Sequence, residues 1–352
     1  MRAISLFSGA GGMDVGFAQA GIHATLACEI NRDAAATYRA NHRGELFEGD
    51  IRNLIPTLHR GAASVVFGGA PCQGYSIAGK MDPNDPRNAL VQSFMDVVDM
   101  VRPLGFVMEN VDALALMPKW RGVLAAVRAR AQTLGYATHV RVLNAAKLGV
   151  PQSRKRMFLW GVKGAAETDL AETCDRVLAS CERPETASRS VFLKLGRAGS
   201  ERNPVTCPAR VTFARNPVLR ASPYAGMLFN GAGRPIDPER PAPTIAASSG
   251  GNKTHIVDED HIYSDKESFV DGYHARLMKG EQPEQGIAPS RLRRLTIAEC
   301  LALQTFPESF VLRGKRASQY RQIGNAVPCL MASAVGYAMK AMIENATLAN
   351  AA

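Results

Sequence analysis

The chain has 352 residues, 46% of them hydrophobic, and seven cysteines without paired or metal-type spacing. That composition builds a folded core in a reducing compartment and excludes a disulfide scaffold. No apolar run reaches the length of a membrane span and residues 1–7 are too short for a signal-peptide core, so a cytoplasmic protein with no membrane partner is expected. The net charge of +10 at pH 7 favours a polyanionic partner. Nine Lys and Arg stand against three acids within 176–220, as a solvated basic face or as a surface that tracks phosphates.

Residues 2–7 read as a strand, and Ser8-Gly9-Ala10-Gly11-Gly12 as a glycine turn into a helix over 13–20. Such a turn lets the backbone close on a nucleotide-like ligand while the helix N-terminus offers its N–H groups. The third glycine of a dinucleotide fingerprint is replaced by Asp14. A strand over 24–27 ends at Cys28-Glu29, where an acid can accept from a ribose diol. A helix over 32–41 and a strand over 46–51 follow, with Asp50 at the strand's end. Acids on successive strand tips suggest an adenosine-containing cofactor in a doubly wound α/β sheet.

The apolar run Val65-Val66-Phe67 reads as a buried strand, and Gly68-Gly69-Ala70-Pro71 as the turn that puts Cys72 at its carboxyl end. From this stretch alone Cys72 is as readily a small buried hydrophobe as a nucleophile. The polar segment 78–88 reads as a mobile loop, 89–101 as a helix, and 106–111 as a strand on which Glu109 closes an apolar run. After a helix over 119–134, strands are expected at 139–144 and 156–162. Arg154 and Arg156 should point to one face of the strand they share, reaching one site or forming a surface ion-pair set.

From 164 to 291 the alternation fails and Pro and Gly become dense, which reads as a loop-rich, mainly β second domain from about 186. His255 and His261 flank Asp258-Glu259-Asp260 at a spacing that fits no zinc pattern, so an acidic loop is expected. Thr296 with Glu299 forms a capping box, Asn325 after Gly324 reads as a turn, and a small-residue helix closes the chain over 329–343.

Pro71-Cys72-Gln73 with Gly74-Tyr75-Ser76 resembles the nucleophile loop of the cytosine-5 DNA methyltransferases of bacterial restriction-modification type. The Phe7-x-Gly9-x-Gly11-Gly12 turn, Glu29 and Asp50 are similar to that family's S-adenosylmethionine site. Gln152-Ser153-Arg154-Lys155-Arg156, the block from Arg293 to Pro307, and Gln322-Ile323-Gly324-Asn325-Ala326-Val327-Pro328 follow in the family's order. At the position after Glu29, often aromatic in the family, stands Ile30.

The resemblance implies a Rossmann-like catalytic domain over 1–185 plus 300–352 and a smaller, mainly β or irregular target-recognition domain over 186–299. It implies Cys72 as nucleophile, with Glu109, Arg154 and Arg156 as catalytic partners. Phe7, Gly9, Gly11, Gly12, Glu29, Asp50, Ile51, Pro71, Leu90 and Asn325 would hold S-adenosylmethionine. Gln73, Ser76, Gln152 and Arg293 would touch the substrate. The implied partners are duplex DNA, over which the loop at 78–88 would close, and a cognate restriction endonuclease; the implied state is a monomer. The chemistry fits these residue types. A thiolate adding at C6 of cytosine turns the ring into an enamine that takes a methyl group at C5, while an acid stabilises the charge developing at N3. A stacked base hides C6, so the cytosine must be flipped out. A tRNA cytosine-5 methyltransferase on the same catalytic domain, or a DNA-binding module without catalysis, are the alternative readings.

Overall fold

The computed structural model describes residues 1–71, 89–264 and 266–351. Its chain divides into two units, the first made of 1–148, 154–184 and 327–352, the second of 149–153 and 185–326.

Strands β1 (Arg2–Leu6), β2 (His23–Glu29), β3 (Glu45–Glu48), β4 (Val65–Gly69), β5 (Gly105–Val111) and β6 (Tyr136–Asn144) belong to the first unit. A two-residue strand, β7 (Gln152–Ser153), falls in the second unit, and β8 (Lys155–Lys163) returns to the first. The first unit's sheet runs β3-β2-β1-β4-β5-β8-β6. Every strand is parallel to its neighbours except β8, which is antiparallel to both β5 and β6. The crossovers leave β1 in opposite directions, to β2 on one side and towards β4 on the other, so the carboxyl ends of β1 and β4 flank the crevice of a doubly wound sheet. Helices covering both faces explain the uninterrupted apolar β4, whose Val65, Val66 and Phe67 are fully buried.

The layers on that sheet are α1 (Gly12–Gln19), α2 (Arg32–Asn41), α3 (Ile51–Leu54), α4 (Ala89–Val101), α5 (Ala113–Leu116), α6 (Arg121–Thr133) and α7 (Glu167–Cys181). The second unit carries α8 (Arg189–Leu195), α9 (Glu259–Tyr263), α10 (Phe269–Met278), α11 (Ile297–Leu303) and α12 (Arg316–Asn325), and α13 (Cys329–Ala351) closes the first. By length and composition alone the closing helix could cross a membrane. Its apolar side is instead core: the indole of Trp160 donates to the Val335 carbonyl at 3.3 Å, and Gly16 of α1 lies against the Cys329 backbone.

Among the described residues, the named strands of the second unit pair in twos. β9 (Phe213–Val218) runs antiparallel to β10 (Met227–Phe229), β12 (Ile256–Asp258) antiparallel to β13 (Leu292–Arg294), and β11 (Ala242–Pro243) parallel to β7. Phe213, Phe229, Phe269 and Tyr273 form an aromatic core between the β9–β10 hairpin and α10. The segment expected as an acidic loop is ordered structure. Asp258 ends β12, accepts from the His261 backbone N–H to cap α9, and pairs with Arg291 at 2.6 Å. The capping box forms as expected at the start of α11. Asn325 is the last residue of a helix, not part of a turn, and α13 runs eight residues past the expected end.

A methyl group on Gly16 would overlap the α13 backbone, which cannot yield as a flexible side chain could. Gly16→Ala should therefore cost about 1–3 kcal/mol, read as a lower urea midpoint at unchanged m-value.

Candidate active site

The end of β1 bends through positive φ at Phe7 (52°), Gly9 (57°) and Gly11 (87°), the last being the N-cap of α1. Glycine takes this conformation at little cost, whereas Phe7 is strained there, as residues at functional turns often are. Glu29 fixes the turn from the neighbouring strand tip. Its Oε2 accepts the Gly9 N–H at 2.8 Å and its Oε1 the Asn31 N–H at 2.7 Å, which orients the carboxylate and leaves lone pairs for hydroxyl donors. Asp50 caps α3 through the Arg52 N–H, and the Arg52 guanidinium holds its carboxyl down at about 2. Ile51 is buried behind it, while Ile30 is two-thirds exposed.

Asp14 shows why the third glycine is dispensable. It turns inward and accepts from Ser5 Oγ at 3.0 Å and Tyr38 Oη at 2.9 Å, tying β1 to α2. Burial raises its pKa, and the nearby His42 partly offsets that.

At the ends of β4 and β5, Glu109 stands opposite Gly69 in the parallel register. Its side chain is 11% exposed, and its Oε1 pairs with Arg156 Nε at 2.9 Å. Burial raises the Glu109 pKa; the charges of Arg156 and Arg154 oppose the rise. Arg154 is fully buried. Its backbone N–H donates to Asn144 Oδ1 at 3.1 Å and its carbonyl accepts from Ala145 N at 2.9 Å, so it is fixed between β6 and β8. Arg156 thus pairs with the carboxylate from β8, whereas Arg154 lies just before that strand and acts on Glu109 through its charge. The antiparallel pairing sets this geometry, because Arg156 lies opposite Val111 in the β5–β8 register.

Among the predicted residues, Phe7, Gly9, Gly11, Gly12 and Glu29 lie at the β1 and β2 tips, Asp50 and Ile51 after β3 at the start of α3, and Glu109, Arg154 and Arg156 at β5 and beside β8. Pro71 is half-buried on the turn after β4, and Leu90 packs partly on the core from α4. Cys72, Gln73 and Ser76 lie outside the described residues, as does the loop expected at 78–88. Asn325 belongs to the second unit and is exposed. The substrate assignments Gln152 and Arg293 fall on side chains bonded within the second unit. The amide of the fully buried Gln152 donates to the Leu303 carbonyl and accepts from Ile245 N, so both ends are used within the second unit. Arg293 is bonded through every guanidinium nitrogen, to Glu259 at 2.8 Å, to Glu299 at 2.7 and 2.9 Å, and to the Arg294 carbonyl. Both side chains are thus built into the second unit's own hydrogen bonding.

Sequence reasoning passed over Asn110. Fully buried on β5, it donates from Nδ2 to the Ala70 carbonyl at 3.3 Å and anchors the turn that leads to Cys72. Its signal was an amide inside an apolar strand, costly unless bonded. A separate group of potential metal ligands, His139, Cys174 and Asp175, holds the Arg141 guanidinium on its carboxylate, and burial pushes the Cys174 thiol up to about 12.

A glycine turn, an oriented acid at the next strand tip and a buried carboxylate–guanidinium cluster on a doubly wound sheet define a nucleotide-cofactor enzyme of the α/β class. The family described as C-5 cytosine-specific DNA methylase matches residues 1–196 and 227–341, and the chain belongs to it. It is 34% identical to the Type II methyltransferase M1.HphI of Haemophilus parahaemolyticus over 97% of this chain and 87% of that protein. It is 30% identical to the Type II methyltransferase M.DdeI of Desulfomicrobium norvegicum, over 99% and 91% respectively. The fold matches that of the S. pombe Dnmt2 methyltransferase with a TM-score of 0.65 at 18% identity, over 98% of this chain and 99% of that one.

A Cβ on Gly69 would come 2.6 Å from Glu109 Oε2. Gly69→Ala should displace the carboxylate from Arg156 and lower methyl transfer by about 100-fold, the usual cost of an ångström of misplacement. An unchanged circular-dichroism spectrum would check that the fold survives.

Proposed function

We propose that this chain transfers a methyl group from S-adenosylmethionine to C5 of a cytosine flipped out of duplex DNA, through a covalent adduct on Cys72. The observation that carries this reading is the buried Glu109 carboxylate, held by Arg156 beside Gly69, three residues before that cysteine. When bound, the cofactor supplies an electrophilic methyl group on a sulfonium.

The residues present suit that cofactor. Glu29 is oriented to accept from the ribose hydroxyls, Asp50 and Ile51 lie at the next strand tip for the adenine, and Phe7, Gly9, Gly11 and Gly12 bring backbone close to the rest. Pro71, Leu90 and Asn325 complete the assignment by family resemblance.

The Cys72 thiolate adds to C6, aided by the cations Arg154 and Arg156, and electron density moves to C5 and N3. Glu109 meets N3 and supplies a proton there as negative charge develops. Arg156 fixes the Glu109 carboxyl, and Arg154 meets the base O2. Once C5 carries the methyl group, a base takes the C5 proton, N3 returns its proton to Glu109 and Cys72 leaves as the thiolate, which restores the aromatic ring. The second unit selects the DNA sequence, the resemblance to Type II methyltransferases supports a restriction endonuclease of the same specificity as partner, and the cysteine usage supports a cytoplasmic enzyme.

Base-resolution mapping of 5-methylcytosine, in DNA and tRNA from a methylation-free bacterial host expressing the chain, tests the function. Methylation at one short DNA motif is expected; methylated tRNA with unmodified DNA would contradict it. Because burial raises the Glu109 pKa, the protonated form persists to higher pH than on an exposed glutamate. Single-turnover transfer should fall as rising pH removes that proton, while Glu109→Gln should be slower by about 100- to 10,000-fold and lack this limb.

A further inference from the structure

The family match is interrupted at 197–226. The elements that hold Glu29, Glu109 and Arg156 lie inside the matched segments. From 202 on, the interruption is part of an acid-free stretch: between Glu201 and Asp237 there is no Asp or Glu, and Arg202, Arg210, Arg215, Arg220 and Arg234 are spread along it. Enzymes with one chemistry and different targets must differ where they read the target, so the interruption marks the place to look.

There the structure builds β9 and the connection that follows it, and β10, at the start of the next matched segment, completes a ribbon. The six residues of β9 face only three of β10, with Phe213 opposite Phe229 and Val218 opposite Met227. The surplus on β9 bulges outward, as strands do where a side chain is re-aimed. Arg215 and Asn216 sit on that bulge and are exposed, as is Arg220 just beyond the strand. Among the described residues, neither Arg215 nor Arg220 meets a carboxylate. Arg189, Arg240, Arg276 and Arg291 of the same unit each do.

The base of the ribbon is rigid. Phe213 packs on Tyr273 with ring centroids 5.0 Å apart, and Asn230 Nδ2 donates to the Phe213 carbonyl at 2.7 Å. His274 Nε2 meets the Arg220 carbonyl at 2.8 Å, and Tyr224 Oη donates to Asp271 at 3.1 Å, which ties down the connecting loop. Donors on a fixed backbone lose little entropy when they bind.

We propose that the β9–β10 hairpin is the base-reading element of this enzyme. Arg215 takes the O6 and N7 edge of a guanine, Asn216 the N6 and N7 edge of an adenine, and Arg220 a flanking phosphate. A two-stranded ribbon fits the major groove, and these pairings are the bidentate ones that its donor and acceptor pattern permits. The inference rests on the DNA methylation reading above and adds its specificity residues.

The test is methylation of a randomised duplex library by the wild-type chain, Arg215→Ala, Arg215→Lys, Asn216→Ala and Arg220→Ala, sequenced at base resolution. A wild-type motif containing a guanine and an adenine besides the target cytosine is expected. Arg215→Ala should lower kcat/KM on that motif by about 5- to 150-fold and relax the guanine position alone, with Asn216→Ala doing the same at the adenine. Arg220→Ala should weaken all sequences equally and flatten the salt dependence. Cofactor affinity and thermal midpoint should not move, because all three side chains are exposed. A wild-type motif with variants of unchanged profile overturns this inference and leaves the methylation reading standing. So does a uniform loss in Arg215→Ala that Arg215→Lys restores, since a phosphate contact behaves that way. A wild-type chain that methylates no duplex overturns both.

Discussion

A carboxylate buried at the end of a parallel strand persists only if a cation is fixed beside it, and the Glu109–Arg156 pair supplies that cation at 2.9 Å. Removing one partner from such a pair costs about 3–5 kcal/mol, because the other charge is left buried alone. The antiparallel insertion of β8 follows from this constraint. It lets the chain turn back beside β5 and present Arg156 opposite Val111, near the same crevice as Glu109. Asn110 adds the backbone anchor at Ala70, so strand order, register and a single amide together prepare the turn on which Cys72 follows.

The second unit uses charge differently. With its named strands pairing in twos, it closes through an aromatic cluster and through internal ion pairs. Arg293 bridges Glu259 and Glu299, and Arg291 meets Asp258 and Asp260. Glu299 also receives the Asn203 amide and caps α11 with Thr296, so one buried carboxylate joins three parts of the chain. These pairs occupy Asp258, Glu259, Asp260 and Glu299, while the arginines of the acid-free stretch face solvent.

The doubly wound sheet was legible because its signals are local: apolar runs ending in Gly or acidic residues at Phe7, Glu29, Gly69 and Glu109, and a helix after each. The pairing of Arg156 with Glu109 was legible in part, since both lay on expected strands, but the register that opposes them is long-range. Gln152 and Arg293 were read as substrate contacts because they stand in signature blocks. The internal bonds they also make were not legible there, because the partners Leu303, Ile245 and Glu259 are distant in sequence. Helix α10 was missed because the surrounding Gly and Pro density masked ten residues whose buried positions, Val270, Tyr273, His274 and Leu277, follow helical spacing. Asp14 looked like a defect in a glycine motif and is a buried hydrogen-bonding hub, which only Ser5 and Tyr38 reveal.

The central claim is that Cys72 forms a covalent bond to cytosine. A duplex carrying 5-fluorocytosine at the target position has no C5 proton to lose, so addition and methyl transfer should proceed and the adduct should persist. Incubation with S-adenosylmethionine, followed by denaturing electrophoresis and peptide mass mapping, should show a cross-link on the peptide containing Cys72, and none with Cys72→Ser. Methylation of ordinary duplex without any trapped species, or a cross-link at another cysteine, would contradict the account.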